Sequence, residues 1–209
     1  MPATDPTLFY DLGSPYAYLA VERAAGVLGL EPRLAPVLVG GIFTLLGHGS
    51  WSQTPDRAGR IAEVEARAER YGLAPLRWPP GWPNNTLKAM RAVVWAEQGG
   101  GGQRFARAAF RAAFAASRDL SDLEVLIKIA ASVDLPSDQL PAAIKQTAIK
   151  DELKRLTARA WERGVVGVPC IEVGEKIFYG DDQLDFAADR LKAQPAGQAS
   201  ARSPKPTSS

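Results

Sequence analysis

One cysteine and one histidine are all the thiol and imidazole that 209 residues hold. Cys170 alone excludes an intrachain disulfide and every multi-cysteine metal site. His48 alone leaves no histidine pair for zinc, and the lack of a histidine beside Ser14 argues against a serine hydrolase, with His48 itself open as a loop residue or a base. A dominant charge is missing too, since 25 Lys and Arg against 23 Asp and Glu leave a net +2. No basic stripe is interleaved with aromatics in the way a nucleic-acid groove requires. No apolar run approaches the ~20 residues that span a bilayer. Met1 to Leu8 has neither the basic start nor the apolar stretch of a secretory signal. The expectation is a cytoplasmic chain that takes no metal and binds neither nucleic acid nor membrane.

What is present is ordinary apolar content, 46%, on a chain long enough to bury a core. Thr7 to Leu12 has the aromatic and branched residues of a buried strand. Gly13-Ser14-Pro15 then switches the period, and apolar spacing from Tyr16 to Leu28 is helical. Proline is at home in a first helical turn, so Ser14 reads as the N-cap. Pro32 to Val39 is a second strand, ended by Gly40-Gly41. Arg57 to Tyr71 is a charged helix with an apolar stripe, stopped by Gly72.

Pro75 to Pro83 is a rigid loop carrying Trp78 and Trp82, which pack on the surface or wall a substrate pocket. Asn84-Asn85-Thr86 caps a helix to about Glu97. An alanine-rich helix covers Gln103 to Ser117, and Ser121 to Glu124 is a capping box for another reaching Ser132. Further helices cover Leu140 to Arg163. Val168-Pro169 precedes a short strand, Cys170 to Val173, and a turn leads to a second, Ile177 to Tyr179. Gly180-Asp181-Asp182 caps a last helix, Gln183 to Leu191. The order β-α-β, helices, β-β-α makes one split core, with strands around Tyr10, Leu34 to Leu38 and Cys170 to Val173 in one sheet. The helices between Arg57 and Arg159 are expected to cap one end of it.

Phe9-Tyr10-Asp11-Leu12-Gly13-Ser14-Pro15-Tyr16 and Gly167-Val168-Pro169, in that order, resemble the DsbA-like branch of the thioredoxin superfamily. More narrowly, the chain resembles the 2-hydroxychromene-2-carboxylate isomerases and the kappa-class glutathione transferases. Pro36 to Phe43, Trp82 to Thr86 with Ala89-Met90-Arg91-Ala92, and Phe178 to Asp182 carry the same likeness. Three departures stand out: Gly47-His48 where Asn often follows the glycine, Arg57 near a position often Lys, and Gln183 where relatives often have Arg.

The resemblance implies an α/β, thioredoxin-like βαβ…ββα core, 5–45 and 164–192, with a large all-helical insertion, 46–163; the tail, 193–209, rich in proline, serine and alanine without apolar periodicity, reads as disordered from its composition. It implies a cis bond at Val168-Pro169 and a glutathione-dependent isomerase acting on an aromatic 2-oxo or chromene carboxylate. Ser14, where DsbA has the first cysteine of its pair, would hold the glutathione thiolate. Ala17 stands at the second cysteine position, so no dithiol oxidoreductase remains. Val168 and Pro169 would take the cofactor's cysteinyl backbone, Asp181 and Asp182 its γ-glutamyl ammonium, and Asn84 or Asn85 the peptide from the other side. Tyr16, His48, Trp78 and Trp82 would line the pocket for the second substrate. A kappa-type transferase and a non-catalytic thioredoxin-fold binding protein are the alternatives, and a homodimer is possible on the same ground. Cys170 reads as a small buried residue.

Overall fold

The computed structural model describes residues 5–47 and 49–193. Its sheet has four short strands, β1 (Thr7–Tyr10), β2 (Arg33–Pro36), β3 (Cys170–Val173) and β4 (Lys176–Tyr179), in the order β2-β1-β3-β4. β1 runs parallel to β2 with Leu8 opposite Leu34, and antiparallel to β3 with Leu8 opposite Ile171. β4 closes the edge antiparallel to β3, Cys170 facing Tyr179. The two halves of the sequence therefore meet in one sheet, as the split pattern requires.

Successive side chains of a strand point to opposite faces. Leu8 and Tyr10 enter one apolar cluster with Leu19, Phe110, Ile171 and Leu184, and Phe9 enters a second with Val37, Ile42, Ala160, Val165 and Cys170. With both faces covered, β1 is buried throughout and reads as a continuous apolar run. The first face carries α1 (Pro15–Leu28) and α9 (Leu184–Lys192); the second carries α2 (Val39–Leu46) and the end of α8 (Thr147–Glu162). Between them lie α3 (Arg57–Arg70), α4 (Leu87–Gln98), α5 (Gly102–Phe114), α6 (Leu123–Ser132) and the single turn α7 (Leu140–Ala143). Phe105, Phe110 and Phe114 of α5 are fully buried and join the helical layer to the sheet, Phe110 lying 5.5 Å from the Tyr10 ring. Among the described residues no helix is long and apolar enough to cross a membrane.

Four expectations change. The second strand ends at Pro36, and Gly40-Gly41 lies inside α2. Pro36 has no N–H to donate; Val37 N–H still reaches Tyr10 O at 2.9 Å, but the two amides after it are taken from outside the sheet, Leu38 N–H by Thr157 Oγ1 at 2.9 Å and Val39 N–H by Asp11 Oδ2 at 3.1 Å. The helix at Leu123 is capped by Asp122, whose carboxylate accepts from Glu124 N–H at 2.9 Å, so Ser121 is not the cap. The last helix begins at Leu184, after a 3₁₀ turn over Asp181–Gln183. Finally, α8 does not cap an end of the sheet: its Ala160 packs into the sheet's second face. The segment 194–209 lies outside the described residues.

Candidate functional site

The chain leaves β1 through a tight turn that aims Ser14. Ser14 N–H donates to Asp11 O at 3.0 Å, and Gly13 N–H donates to Asp11 Oδ1 at 2.9 Å. Ser14 then holds the extended backbone of an N-cap, φ −91° and ψ 115°, and its Oγ accepts from Ala17 N–H at 3.2 Å. Accepting from the helix leaves the hydroxyl its own proton to donate. Pro15 occupies the first helical position, where a missing N–H costs nothing.

Val168–Pro169 forms another wall of the same cavity, of about 740 Å³. Its peptide is cis, and so is Trp82–Pro83. Gly180 N–H donates to Pro169 O at 3.0 Å, which ties the loop to the end of β4. Among the described residues Val168 itself makes no backbone hydrogen bond, so its amide and carbonyl remain for a ligand. Tyr179 lies against Gly167: a Cβ there would meet the Tyr179 ring at 2.8 Å. Cys170 is buried behind this loop, its Sγ donating to Gly167 O at 3.1 Å, and burial pushes its thiol up to about 12.

One end of the cavity is charged. Arg60, Glu63 and Arg67, spaced three and four along α3, share a helix face. Glu63 accepts from Tyr16 Oη and Arg60, both at 3.1 Å, and from Arg67 at 2.7 Å. Arg67 also donates to Asp181 Oδ1 at 2.8 Å and lies 3.5 Å from Asp182. Tyr71 Oη donates to Asp181 Oδ2 at 2.9 Å. Burial works to raise Glu63, but the hydrogen bonds from Arg67 and Tyr16 bring it below the usual range. Asp181 goes the other way: burial raises it, and Tyr71 and Arg67 only partly offset that. With both oxygens of Asp181 taken inside the protein, Asp182, half exposed, is the carboxylate left for a ligand.

The adjoining wall is aromatic. The Tyr16 ring lies 5.9 Å from Trp51, and Trp51 lies 5.3 Å from Trp82, all three on the cavity. Arg57 stands over Trp82 at 5.6 Å and donates to its carbonyl at 2.7 Å. Trp78 does not line the cavity; it buttresses Trp82 from behind at 4.8 Å and bonds Glu65 through Nε1 at 2.7 Å. Asn84 and Asn85 line the cavity near Pro83. Asn84 Nδ2 donates to Pro80 O at 3.0 Å while its Oδ1 is buried without a partner; Asn85 Oδ1 accepts from Leu87 N–H at 3.0 Å.

The site thus joins Ser14, Tyr16, Trp82, Asn84, Asn85, Val168, Pro169, Asp181 and Asp182, leaves out Trp78, and His48 lies outside the described residues. Sequence reasoning missed Trp51, Arg60, Glu63, Arg67 and Tyr179. The three-and-four spacing of the α3 charges was the one available signal for them.

Comparison with known proteins places the chain in a family. It belongs to the DSBA-like thioredoxin domain family, whose model matches residues 7–192. It is 26% identical over 192 residues to 2-hydroxychromene-2-carboxylate isomerase of Sphingobium xenophagum, covering 88% of this chain and 95% of that one. It is 23% identical over 202 residues to glutathione S-transferase kappa 1 of Homo sapiens, covering 88% and 89%. A solved structure of 2-hydroxychromene-2-carboxylate isomerase shares the fold with a TM-score of 0.77 at 18% identity, covering 90% and 94%.

Proposed function

We propose that this member of the DSBA-like thioredoxin family is a glutathione-dependent isomerase of the 2-hydroxychromene-2-carboxylate type, with Ser14 as its thiolate-holding residue. The observation that carries the reading is the Ser14 hydroxyl, free to donate at a helix N-terminus beside the cis Val168–Pro169 loop, with alanine at position 17. The relatives named above support the chemistry.

The residues present fit the tripeptide. Val168, whose amide and carbonyl are unpaired among the described residues, would offer both to an extended backbone. Asn84 Oδ1 is a buried acceptor without a donor, and a peptide N–H would satisfy it. At the charged end, Glu63, Asp181 and Asp182 outnumber Arg60 and Arg67, which favours an ammonium. Bound glutathione would supply a sulfur nucleophile for reversible addition to a conjugated substrate. Ser14 lowers that thiol's pKa by donating to the anion, with the positive end of α1 adding to the effect. Two pKa units correspond to ~2.7 kcal/mol, which one hydrogen bond to a charge (~1.5–3 kcal/mol) and a helix terminus (~0.3–1 kcal/mol) supply together. Tyr16, Trp51 and Trp82 give a planar aromatic substrate a stacking wall and keep water off it.

The test is turnover of 2-hydroxychromene-2-carboxylate with and without glutathione. The expected result is isomerisation that requires glutathione and leaves its concentration unchanged. Consumption of glutathione would make the protein a kappa-type transferase. No turnover and no glutathione binding would reduce it to a binding protein and overturn the reading.

A further inference from the structure

Asp11 is a buried carboxylate on the cavity wall, 5% exposed, and among the described residues no Lys or Arg is hydrogen-bonded to it. The role given to Ser14 makes no use of it. Its partners come from three separate segments: Gly13 N–H and Thr86 Oγ1 reach Oδ1 at 2.9 and 3.1 Å, and Val39 N–H reaches Oδ2 at 3.1 Å. Those segments are the turn before α1, the start of α2 and the start of α4, and each contributes residues to the cavity.

Two details set this apart from ordinary turn chemistry. The residue before α2, Leu38, gives no side-chain cap, and Asp11 takes the Val39 N–H in its place. Thr86 stands at the N-cap of α4 yet makes no capping bond with its side chain; its hydroxyl is turned to Asp11. A threonine that gives up its own helix to reach a buried acid marks a contact that the fold maintains. Gly13 is packed into the same joint, where a Cβ would lie 3.4 Å from both Asp11 Oδ1 and Thr86. Both backbone partners are obligate donors, so only a carboxylate accepts on both sides; asparagine would turn an N–H₂ group on one of them.

We propose that Asp11 is a positioning residue for the thiol site, pinning the Ser14 turn, the start of α2 and the Asn84–Thr86 segment in one mutual geometry. The proposal rests on the glutathione reading above. Ser14 and Asn84 grip opposite parts of one ligand, so slack between their segments weakens binding even where each segment keeps its shape. Tyr10 is the titratable group whose phenol feels the Asp11 charge most directly, and burial, more than any neighbour, raises the carboxyl above its usual range.

The experiment has two arms. Amide NMR of the ligand-free protein follows Gly13 and Val39 against pH. Both should titrate together with one midpoint above the usual carboxylate range, and Asp11→Asn should abolish the transition. Glutathione binding and thiolate absorbance are then measured for wild type, Thr86→Val, Thr86→Ser and Asp11→Asn. Thr86→Val should weaken glutathione by about five- to tenfold without moving the thiol pKa, because the Ser14 turn still rests on Oδ1. Thr86→Ser, which keeps the hydroxyl, should restore wild-type affinity. Amides that titrate independently overturn the clamp. Wild type that binds glutathione while Thr86→Val and Asp11→Asn bind it equally well overturns the positioning role. Wild type that binds no glutathione overturns the reading beneath it, and Asp11 is then a loop staple only.

Discussion

Arg67→Met removes the guanidinium from the charged end of the cavity and leaves buried Asp181, 1% exposed, with Tyr71 as its remaining side-chain donor. Breaking a buried ion pair by deleting one partner costs ~3–5 kcal/mol. Here Arg67 is still 21% exposed and Tyr71 keeps one oxygen satisfied, which puts the expected loss at the low end, about 3 kcal/mol. For a chain of this size that is a fall in Tm of roughly 6–12 °C. The pH dependence is the sharper test. Burial already raises Asp181, and removing Arg67 deletes one of the interactions that hold it down, so its pKa climbs further. A group with a raised folded pKa stabilises most below its unfolded pKa and loses that contribution as pH rises through the folded value. The variant's penalty is therefore full near neutrality, where Asp181 is charged without its partner, and shrinks as acid neutralises it. Glu63 acts in the same direction. It is lowered in the wild type, so the stability it shares with Arg67 is present above the unfolded carboxylate pKa and lost as pH falls through the lower folded value. Urea unfolding of both proteins at about pH 7 and about pH 4.5 measures the two gaps. A gap of equal size at both values refutes the argument.

Ser14→Ala should cost the fold only about 1 kcal/mol for the lost cap, yet raise the bound thiol's pKa by about one to two units and cut activity at neutral pH roughly ten- to a hundredfold. Thiolate absorbance against pH decides it, since overlaid titrations would make Ser14 a helix cap and nothing more. Cys170, held up to about 12, has about one thiolate in ten thousand at pH 8, so a disulfide reagent should label it in step with unfolding. Rapid labelling of the folded protein would place the thiol in solvent instead. Gly167→Ala drives a Cβ to 2.8 Å from the Tyr179 ring, which is 58% exposed and free to swing outward. Unfolding should shift by about 1 kcal/mol or less while KM for the organic substrate rises; a loss of several kcal/mol would mean the ring is a fixed wall.

The parts of this site that the sequence made legible are those whose causes are local. A serine before a proline at a strand-to-helix switch is a cap whatever else the protein does, whereas Val168–Pro169 shows locally only as a proline before a strand, and its cis bond was expected from the family resemblance. The position of Gly40-Gly41 was misread because its cause is distant. Glycines end elements when nothing nearby holds them, and here the amides just ahead of them are held by Asp11 and Thr157, 28 and 119 residues away. The α3 charges were visible as a solvated face and became a site only through distant partners, Tyr16, 47 residues before Glu63, and Asp181, 114 residues after Arg67.

Asp181 and Asp182 show why residue type and position alone could not assign the charged end. The two are neighbours, chemically identical, and both suit an ammonium on paper. Gly180, at φ +118°, turns the chain so that Asp181 points inward beneath Arg67 and Tyr71, while Asp182 stays at the rim. The inner carboxylate is then fully engaged, and it holds Arg67 in reach of the outer one. On the glutathione reading proposed above, an ammonium meeting Asp182 would enter a field that Arg67 offsets only in part, and its grip would depend on a residue it never touches. That dependence would place the specificity of this end in α3 as much as in the Asp181–Asp182 pair.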